Sequence, residues 1–209
     1  MKKRSIFLIF IFLSFQLIAQ RSQEEIDEKV QAFLDSKKNE WRYWNVPYKD
    51  GKVLYDLIIK NNYKSGLEIG TSTGHSTIWM AWAMSKTGGK VITLEIDEGR
   101  HKTAVENIKK AGLQDFVDAR LADAHEEVKK LKGKFDFVFS DADKGWYTQY
   151  FKDVDPKMEV GGCFTAHNVS NTYGGAGDFV KYVKGLPNYE TNIDKSSSSG
   201  ISISYKKSE

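Results

Sequence analysis

Leu67-Glu68-Ile69-Gly70-Thr71-Ser72-Thr73-Gly74-His75-Ser76-Thr77 sets a short apolar strand, an acidic residue, a loop with two glycines and a helix start in one unbroken run. A second apolar run, Val91-Ile92-Thr93-Leu94, ends in Glu95. A glycine loop at a strand end lets a ligand approach the backbone closely. A carboxylate at the end of the next strand can accept hydrogen bonds from two ribose hydroxyls. This is the layout of a nucleoside-binding βαβ unit, although an ordinary tight βα turn would also use the two glycines. It is not a dinucleotide fingerprint, because G-x-G-x-x-G needs glycine where Ser72 stands. Without that glycine, a pyrophosphate seated on the helix N-terminus is disfavoured. A phosphate-free ligand with an amino-acid tail fits better, with Ser76 facing its carboxylate and Glu68 its amino group.

Outward from this unit, strand and helix patterns alternate. Strands are expected at residues 66–69, 90–94, 116–121, 135–139 and 161–165, with helices at 76–85, 97–111, 124–131, 146–151 and 178–184 between and after them. Upstream, a helix is expected from Ser22, with Ser22 as its cap, and another over 50–60. Residues 189–193 and 201–205 flank a run of serines and read as a hairpin. The expected fold class is therefore α/β, a doubly wound, mostly parallel seven-stranded sheet with an antiparallel C-terminal hairpin.

The first nineteen residues differ from the rest. Lys2, Lys3 and Arg4 precede a run from Ile6 to Phe15 that is apolar apart from Ser14. A basic start, a short apolar stretch and a small residue near Ala19 match an export signal. An uncleaved anchor is the alternative, although a membrane span needs roughly 20 apolar residues. The chain thus divides into a signal or anchor (1–19), a helix with an aromatic connection (20–45) and a main domain (46–209). The expected location is exported or membrane-anchored, with the cytoplasm as the remaining option. Removing residues 1–19 takes three basic residues from 31, leaving 28 Lys and Arg against 28 Asp and Glu. A neutral domain argues against nucleic-acid binding, which relies on clustered positive charge. Lys129-Lys130 and Lys206-Lys207 read as solvated faces. The single cysteine, Cys163, lies in an apolar run and reads as a buried small hydrophobe.

Two further clusters carry chemistry. In Phe137-Val138-Phe139-Ser140-Asp141-Ala142-Asp143-Lys144, two carboxylates and a lysine follow a buried strand, at the edge where open α/β sheets bind ligands. A carboxylate there can hold a hard divalent cation. A lysine near a metal, or desolvated, can take a proton. Ala166-His167-Asn168 ends the following strand and brings two more potential ligands beside Asp141. Trp146, Tyr147 and Tyr150, with Trp41, Tyr43 and Trp44 upstream, could wall a flat acceptor. Trp79 and Trp82 lie within a helix and read as packing.

These elements together resemble the cation-dependent O-methyltransferases that use S-adenosylmethionine, the catechol and caffeoyl-CoA O-methyltransferase group. The resemblance runs from about Val46 to Tyr205 and implies a class I methyltransferase, Rossmann-like fold. It implies cofactor contacts at Glu68, Gly70, Thr71, Ser76 and Glu95, at Asp123 and Ala124 beside the adenine, and at Asp141. It makes Asp141 a metal ligand, Lys144 a candidate base and Asp143 a neighbour of cofactor or acceptor; read from the residues themselves, His167 and Asn168 complete the metal set, His167 is the second candidate base and Trp146 a neighbour of the acceptor. Asp50-Gly51 resembles the acidic-glycine pair that opens the helix over the cofactor. One departure stands out: the family usually has Asp-Asn where this chain has His167-Asn168. The exchange removes a negative charge. It favours Mn²⁺ or another nitrogen-tolerant ion over Mg²⁺, or a site without metal in which His167 is the base. The expected function is methyl transfer to a small aromatic diol or phenol. The alternatives are a nucleoside-binding protein that has lost turnover and a nicotinamide-dependent oxidoreductase. The expected partners are the small-molecule acceptor and at most a second copy of the chain. Neither nucleic acid nor, beyond the N-terminal segment, a membrane is expected.

Overall fold

The computed structural model describes residues 23–41, 44–170 and 173–209. The segment 1–19, the cap expected at Ser22 and the ring of Tyr43 lie outside these. Residues 23–37 form a helix, α1. It is followed by α2 (Tyr48–Asn61), β1 (Ser65–Ile69), α3 (His75–Thr87), β2 (Lys90–Glu95), α4 (Glu98–Lys110) and β3 (Val117–Leu121). Then come α5 (Ala124–Lys130), β4 (Phe135–Ser140), α6 (Tyr147–Val154), β5 (Met158–His167), α7 (Ala176–Lys184), β6 (Tyr189–Asp194) and β7 (Ile201–Lys206). No helix among the described residues is long and apolar enough to cross a membrane.

The seven strands make one sheet in the order β3-β2-β1-β4-β5-β7-β6. The first five are parallel, and β7 runs antiparallel to both β5 and β6. The expected fold class is the observed one. The hairpin enters second strand first, so β7 pairs with β5 and β6 becomes the edge. Phe137, Val138 and Phe139 of β4 are buried on both faces, as a central parallel strand requires. On one face Val128, Tyr147, Phe151, Phe179 and Val183 cover Leu67, Val138 and Phe164. On the other, Leu54 and Ile58 of α2 and Met80 and Met84 of α3 cover Phe137, Phe139 and Cys163. Outside this layer, Val30, Phe33 and Leu34 of α1 pack on Ile78 and Trp79 of α3 and on Ile108 of α4. α3 is consequently buried nearly all round. Lys206 departs from expectation. The β7 alternation turns it inward, where Nζ donates to the carbonyls of Asp155 (3.0 Å) and Met158 (3.4 Å) and pairs with Glu209.

Two contacts fix the helices that flank the glycine loop. Gly51 of α2 lies flat on the Trp79 indole, so that a Cβ there would stand 2.2 Å from Trp79 Cδ1. Trp79 Nε1 in turn donates to His75 Nε2 (3.2 Å), while His75 Nδ1 donates to the Val46 carbonyl (2.8 Å). His75 is a structural post beneath Trp41, stacked at 4.5 Å, and burial pulls its pKa down to about 4. Beneath the loop itself lies Glu68, fully buried. Its Oε2 accepts from Thr77 Oγ1 and from Thr93 Oγ1 (2.6 Å), while Oε1 has no partner. Burial pushes this carboxyl up to about 7, against the hydrogen bonds from Ser76, Thr77 and Thr93 that lower it.

Gly51→Ala is expected to cost about 1–3 kcal/mol through overpacking, read as a lower urea midpoint; an unchanged midpoint contradicts the close approach. For Glu68 the folded-state pKa is raised, so the protonated form is the one the fold favours. The stability this group contributes is complete below its ordinary value of 4.5 and is lost as pH rises through about 7. The wild type is therefore expected to lose stability relative to Glu68→Gln between pH 4.5 and 8. Parallel stability curves for the two proteins would refute it.

Candidate active site

The strand order reverses between β1 and β4, and a crevice opens there at the carboxyl ends of the strands. Gly70 sits at its base with φ +102°, and a Cβ at that position would lie 2.9 Å from the Asp141 carbonyl oxygen. Only glycine suits both the dihedral and the approach. The crevice widens into a cavity of about 760 Å³. After β1 it is lined by Gly70 and Ser72, after β2 by Glu95 and Ile96, and after β3 by Asp123, Ala124 and His125. After β4 it is lined by Asp141, Asp143 and Lys144, and after β5 by His167 and Asn168. Trp44, Asn45 and Pro47 close the opposite side, with Trp44 79% exposed at the rim. The strand tips share a local design. Asp97, Asp123 and Asp143 each cap the helical turn that follows, accepting from the backbone N–H of Arg100 (2.8 Å), His125 (2.9 Å) and Gly145 (2.9 Å).

Glu95 is buried and held at both carboxylate oxygens. Its Oε2 accepts from the Ser72 backbone N–H at 2.7 Å. Its Oε1 accepts from the Asp97 N–H (3.0 Å) and from Arg100 Nε (3.0 Å) and Nη2 (2.8 Å). Ser72 has φ +50°, unfavourable for a residue with a Cβ, and the Glu95 bond holds it there. The Ser72 hydroxyl is buried without a partner at the cavity wall.

Across the cavity, Asp141 and His167 are joined. His167 Nδ1 lies 3.1 Å from Asp141 Oδ2, and Nε2 lies 2.7 Å from Asp50 Oδ2. Asp50 Oδ2 also accepts from Ser197 Oγ at 2.8 Å. Lys144 Nζ stands 3.4 Å from Asp141 Oδ1. Burial pulls the His167 pKa down, but the hydrogen bonds to Asp141 and then Asp50, with their charges, outweigh it and raise it to about 9. Tyr147 OH donates to the His167 carbonyl (3.2 Å) and fixes the strand tip from below. Among the described residues no group of three His, Cys, Asp or Glu side chains is arranged to hold a metal ion.

Of the residues expected to face the cofactor, Gly70, Glu95, Asp123, Ala124 and Asp141 line the cavity. Glu68, Thr71 and Ser76 do not. Thr71 Oγ1 bonds Thr93 Oγ1 at 2.5 Å, Thr93 Oγ1 also bonds Glu68, and Ser76 is buried at the start of α3, so all three form the layer behind the loop. The alternation of β1 turns Glu68 away from the opening. Lys144, Asp143, His167 and Asn168 reach the cavity. Both His167 ring nitrogens are taken up by carboxylates, which leaves neither free to accept a proton from an acceptor. Trp146 does not line the cavity and lies against His125 at 4.1 Å between ring centroids. Trp41 is partly buried against the α1–α3 cluster and Tyr147 belongs to the core, so Trp44 and Tyr150 supply the aromatic surface of the cavity. Arg100, His125, Ser197 and Ser199 escaped the sequence reading. Arg100 alone had a usable signal, a cation one helical turn beyond the strand-end carboxylate.

A family model described as O-methyltransferase matches residues 19–174. The catechol O-methyltransferase of Niastella koreensis is 40% identical over 129 residues, which make up 60% of this chain and 58% of that protein. The caffeoyl-CoA O-methyltransferase 1 of Eucalyptus globulus is 32% identical over 130 residues, 60% of this chain and 52% of the plant protein. The chain thus spans little more than half the length of these curated relatives. An O-methyltransferase from Bacillus cereus, solved in complex with SAH, superposes with a TM-score of 0.72 at 28% identity over 87% of this chain and 90% of its own. With the family match covering most of its length and the same sheet carrying the strand-tip cavity, the chain belongs to the O-methyltransferase family.

Proposed function

We propose that the protein transfers a methyl group from S-adenosylmethionine to the oxygen of a small hydroxylated aromatic compound. The observation that carries this reading is the single cavity that runs from Glu95 at the tip of β2 to Lys144 beyond β4. It joins a nucleoside-suited end to an end with acid–base groups. Family membership and the likeness to the SAH-bound Bacillus cereus enzyme support it.

The residues at the first end fit an adenosyl ligand. Glu95 is held with its carboxylate at the cavity wall, where its remaining lone pairs suit ribose hydroxyls. The buried, unpartnered hydroxyl of Ser72 offers a further polar contact. Ala124 and Ile96 supply apolar surface for the base, with His125 beside them. Asp141 lines the junction of the two ends, beside Lys144. S-adenosylmethionine itself supplies a methyl group already activated on a sulfonium sulfur, so the protein's task is mainly to orient and deprotonate the acceptor.

Lys144 is the residue placed for that deprotonation. Lys144 lines the cavity beside Asp141, and it takes the acceptor hydroxyl proton while the new oxygen–methyl bond forms and the methyl–sulfur bond breaks. Asp141, 3.4 Å away, stabilises the resulting ammonium. Trp44 and Tyr150 give a flat acceptor apolar surface.

With catechol as the probe acceptor, Lys144→Met is expected to lower kcat by roughly 10²–10⁴, the range for removal of a general base. Affinity for S-adenosylhomocysteine should stay within about threefold. An undiminished kcat would remove Lys144 from the mechanism, and absence of labelled methyl transfer by the wild type to catechol or to any simple phenol would overturn the proposed function.

A further inference from the structure

We infer that the cluster at the tips of β4 and β5 works without a divalent cation, His167 standing where the family usually has an Asp, and that the acceptor consequently needs only one hydroxyl. The inference rests on the methyl-transfer reading above and deepens it.

The donor set does not fit a divalent ion. Asp141 Oδ2 and Asp50 Oδ2 flank the His167 ring at 3.1 and 2.7 Å. A carboxylate only accepts, so both ring nitrogens donate and neither keeps a lone pair for a metal. The other oxygen of Asp141 faces Lys144 Nζ at 3.4 Å. Both oxygens of the one carboxylate in the expected metal set are thus engaged by nitrogen groups of this chain. Of that set only the neutral amide of Asn168 is uncommitted; outside it Asp50 keeps one oxygen, Oδ1, buried and without a hydrogen-bond partner, so no carboxylate with both oxygens free is left to hold Mg²⁺ or Ca²⁺.

The arrangement is locked from several directions. Asp50 is wholly buried at the start of α2, and its Oδ2 also accepts from Ser197 Oγ (2.8 Å) in the turn between β6 and β7. Turning the imidazole toward a metal would break its bond to Asp141 and would require Lys144 to leave the same carboxylate. A ring fixed between two carboxylates does not take over a metal's work of gathering the acceptor oxygens. A metal can chelate two adjacent oxygens and so select vicinal diols, whereas a ring committed to two carboxylates imposes no such demand.

The test uses the full chain, stripped of metal with EDTA and then freed of the chelator. Mn²⁺ is titrated in, and free Mn²⁺ is followed by electron paramagnetic resonance, for the wild type and for His167→Asp. The expected result is that the wild type leaves Mn²⁺ free into the millimolar range, while His167→Asp takes up one ion at least tenfold more tightly. One Mn²⁺ bound by the wild type at micromolar concentration and lost in His167→Ala would overturn the inference. It would mean that Nδ1 is a ligand and that Asp50 merely orients the ring. Should His167→Asp fail to fold, the wild-type titration alone decides. In parallel, methyl transfer to catechol and to 4-methylphenol is measured with and without EDTA. Rates within twofold of each other across the chelator, and the two acceptors within tenfold, support the inference; activity abolished by EDTA and restored by Mn²⁺ overturns it. Absence of transfer to either acceptor while Mn²⁺ stays free would sink the methyl-transfer reading and still support a metal-free cluster.

Discussion

The carboxylate of Asp141 is the constraint on which the site depends. It lies where β1 and β4 part, and its backbone packs so closely on Gly70 that the neighbouring loop can carry no Cβ there. One oxygen faces Lys144 and the other His167. Through His167 the chain of hydrogen bonds continues to Asp50 and Ser197. A single carboxylate at the cavity wall therefore ties the tips of β4 and β5 to α2 and to the C-terminal hairpin. Removing it would leave a buried imidazole beside one carboxylate and would free Lys144, so the cost would fall on the site and the fold together.

Glu95 plays the matching part on the other side of the cavity. It was expected only as a contact for ribose hydroxyls. It also holds Ser72 in a left-handed conformation and is itself held by Arg100. The serine that distinguishes this loop from a dinucleotide fingerprint is thus tolerated because the Glu95 carboxylate grips its N–H. Loop shape and the proposed ligand recognition rest on the same side chain. A charged group fixed by four N–H donors loses little freedom when a ligand arrives.

Much of this was legible in the residues because the signals were local. Alternating periodicity marked every strand and helix. Gly70 and Gly74 marked the loop, and the Asp141-to-Lys144 element marked the far wall. Non-local features were not legible. Hairpin pairing is decided by the turn, but whether β6 or β7 meets β5 is not, so the edge strand could not be named. Glu68 and Glu95 are both acidic residues near strand tips, yet one lies beneath the loop and the other lines the cavity. Glu68 stands opposite Thr93 within the paired region, while Glu95 is the last residue of its strand, where the sheet opens. The partner of His167 was beyond reach for a simpler reason. Asp50 is 117 residues away in sequence. Histidine at a strand end reads equally well as base, ligand or fixed cation until its two ring nitrogens are accounted for.

The central claim is that this cavity is built for an adenosyl ligand without a pyrophosphate, gripped through Glu95. Calorimetric titration of the full chain with S-adenosylhomocysteine and with NAD addresses it directly. The account expects one saturable site for S-adenosylhomocysteine, weakened at least tenfold in Glu95→Ala, in line with the roughly 1.5 kcal/mol or more carried by hydrogen bonds to a charged group, and no binding of NAD. Undiminished affinity in Glu95→Ala, or binding of NAD in preference to S-adenosylhomocysteine, would contradict it.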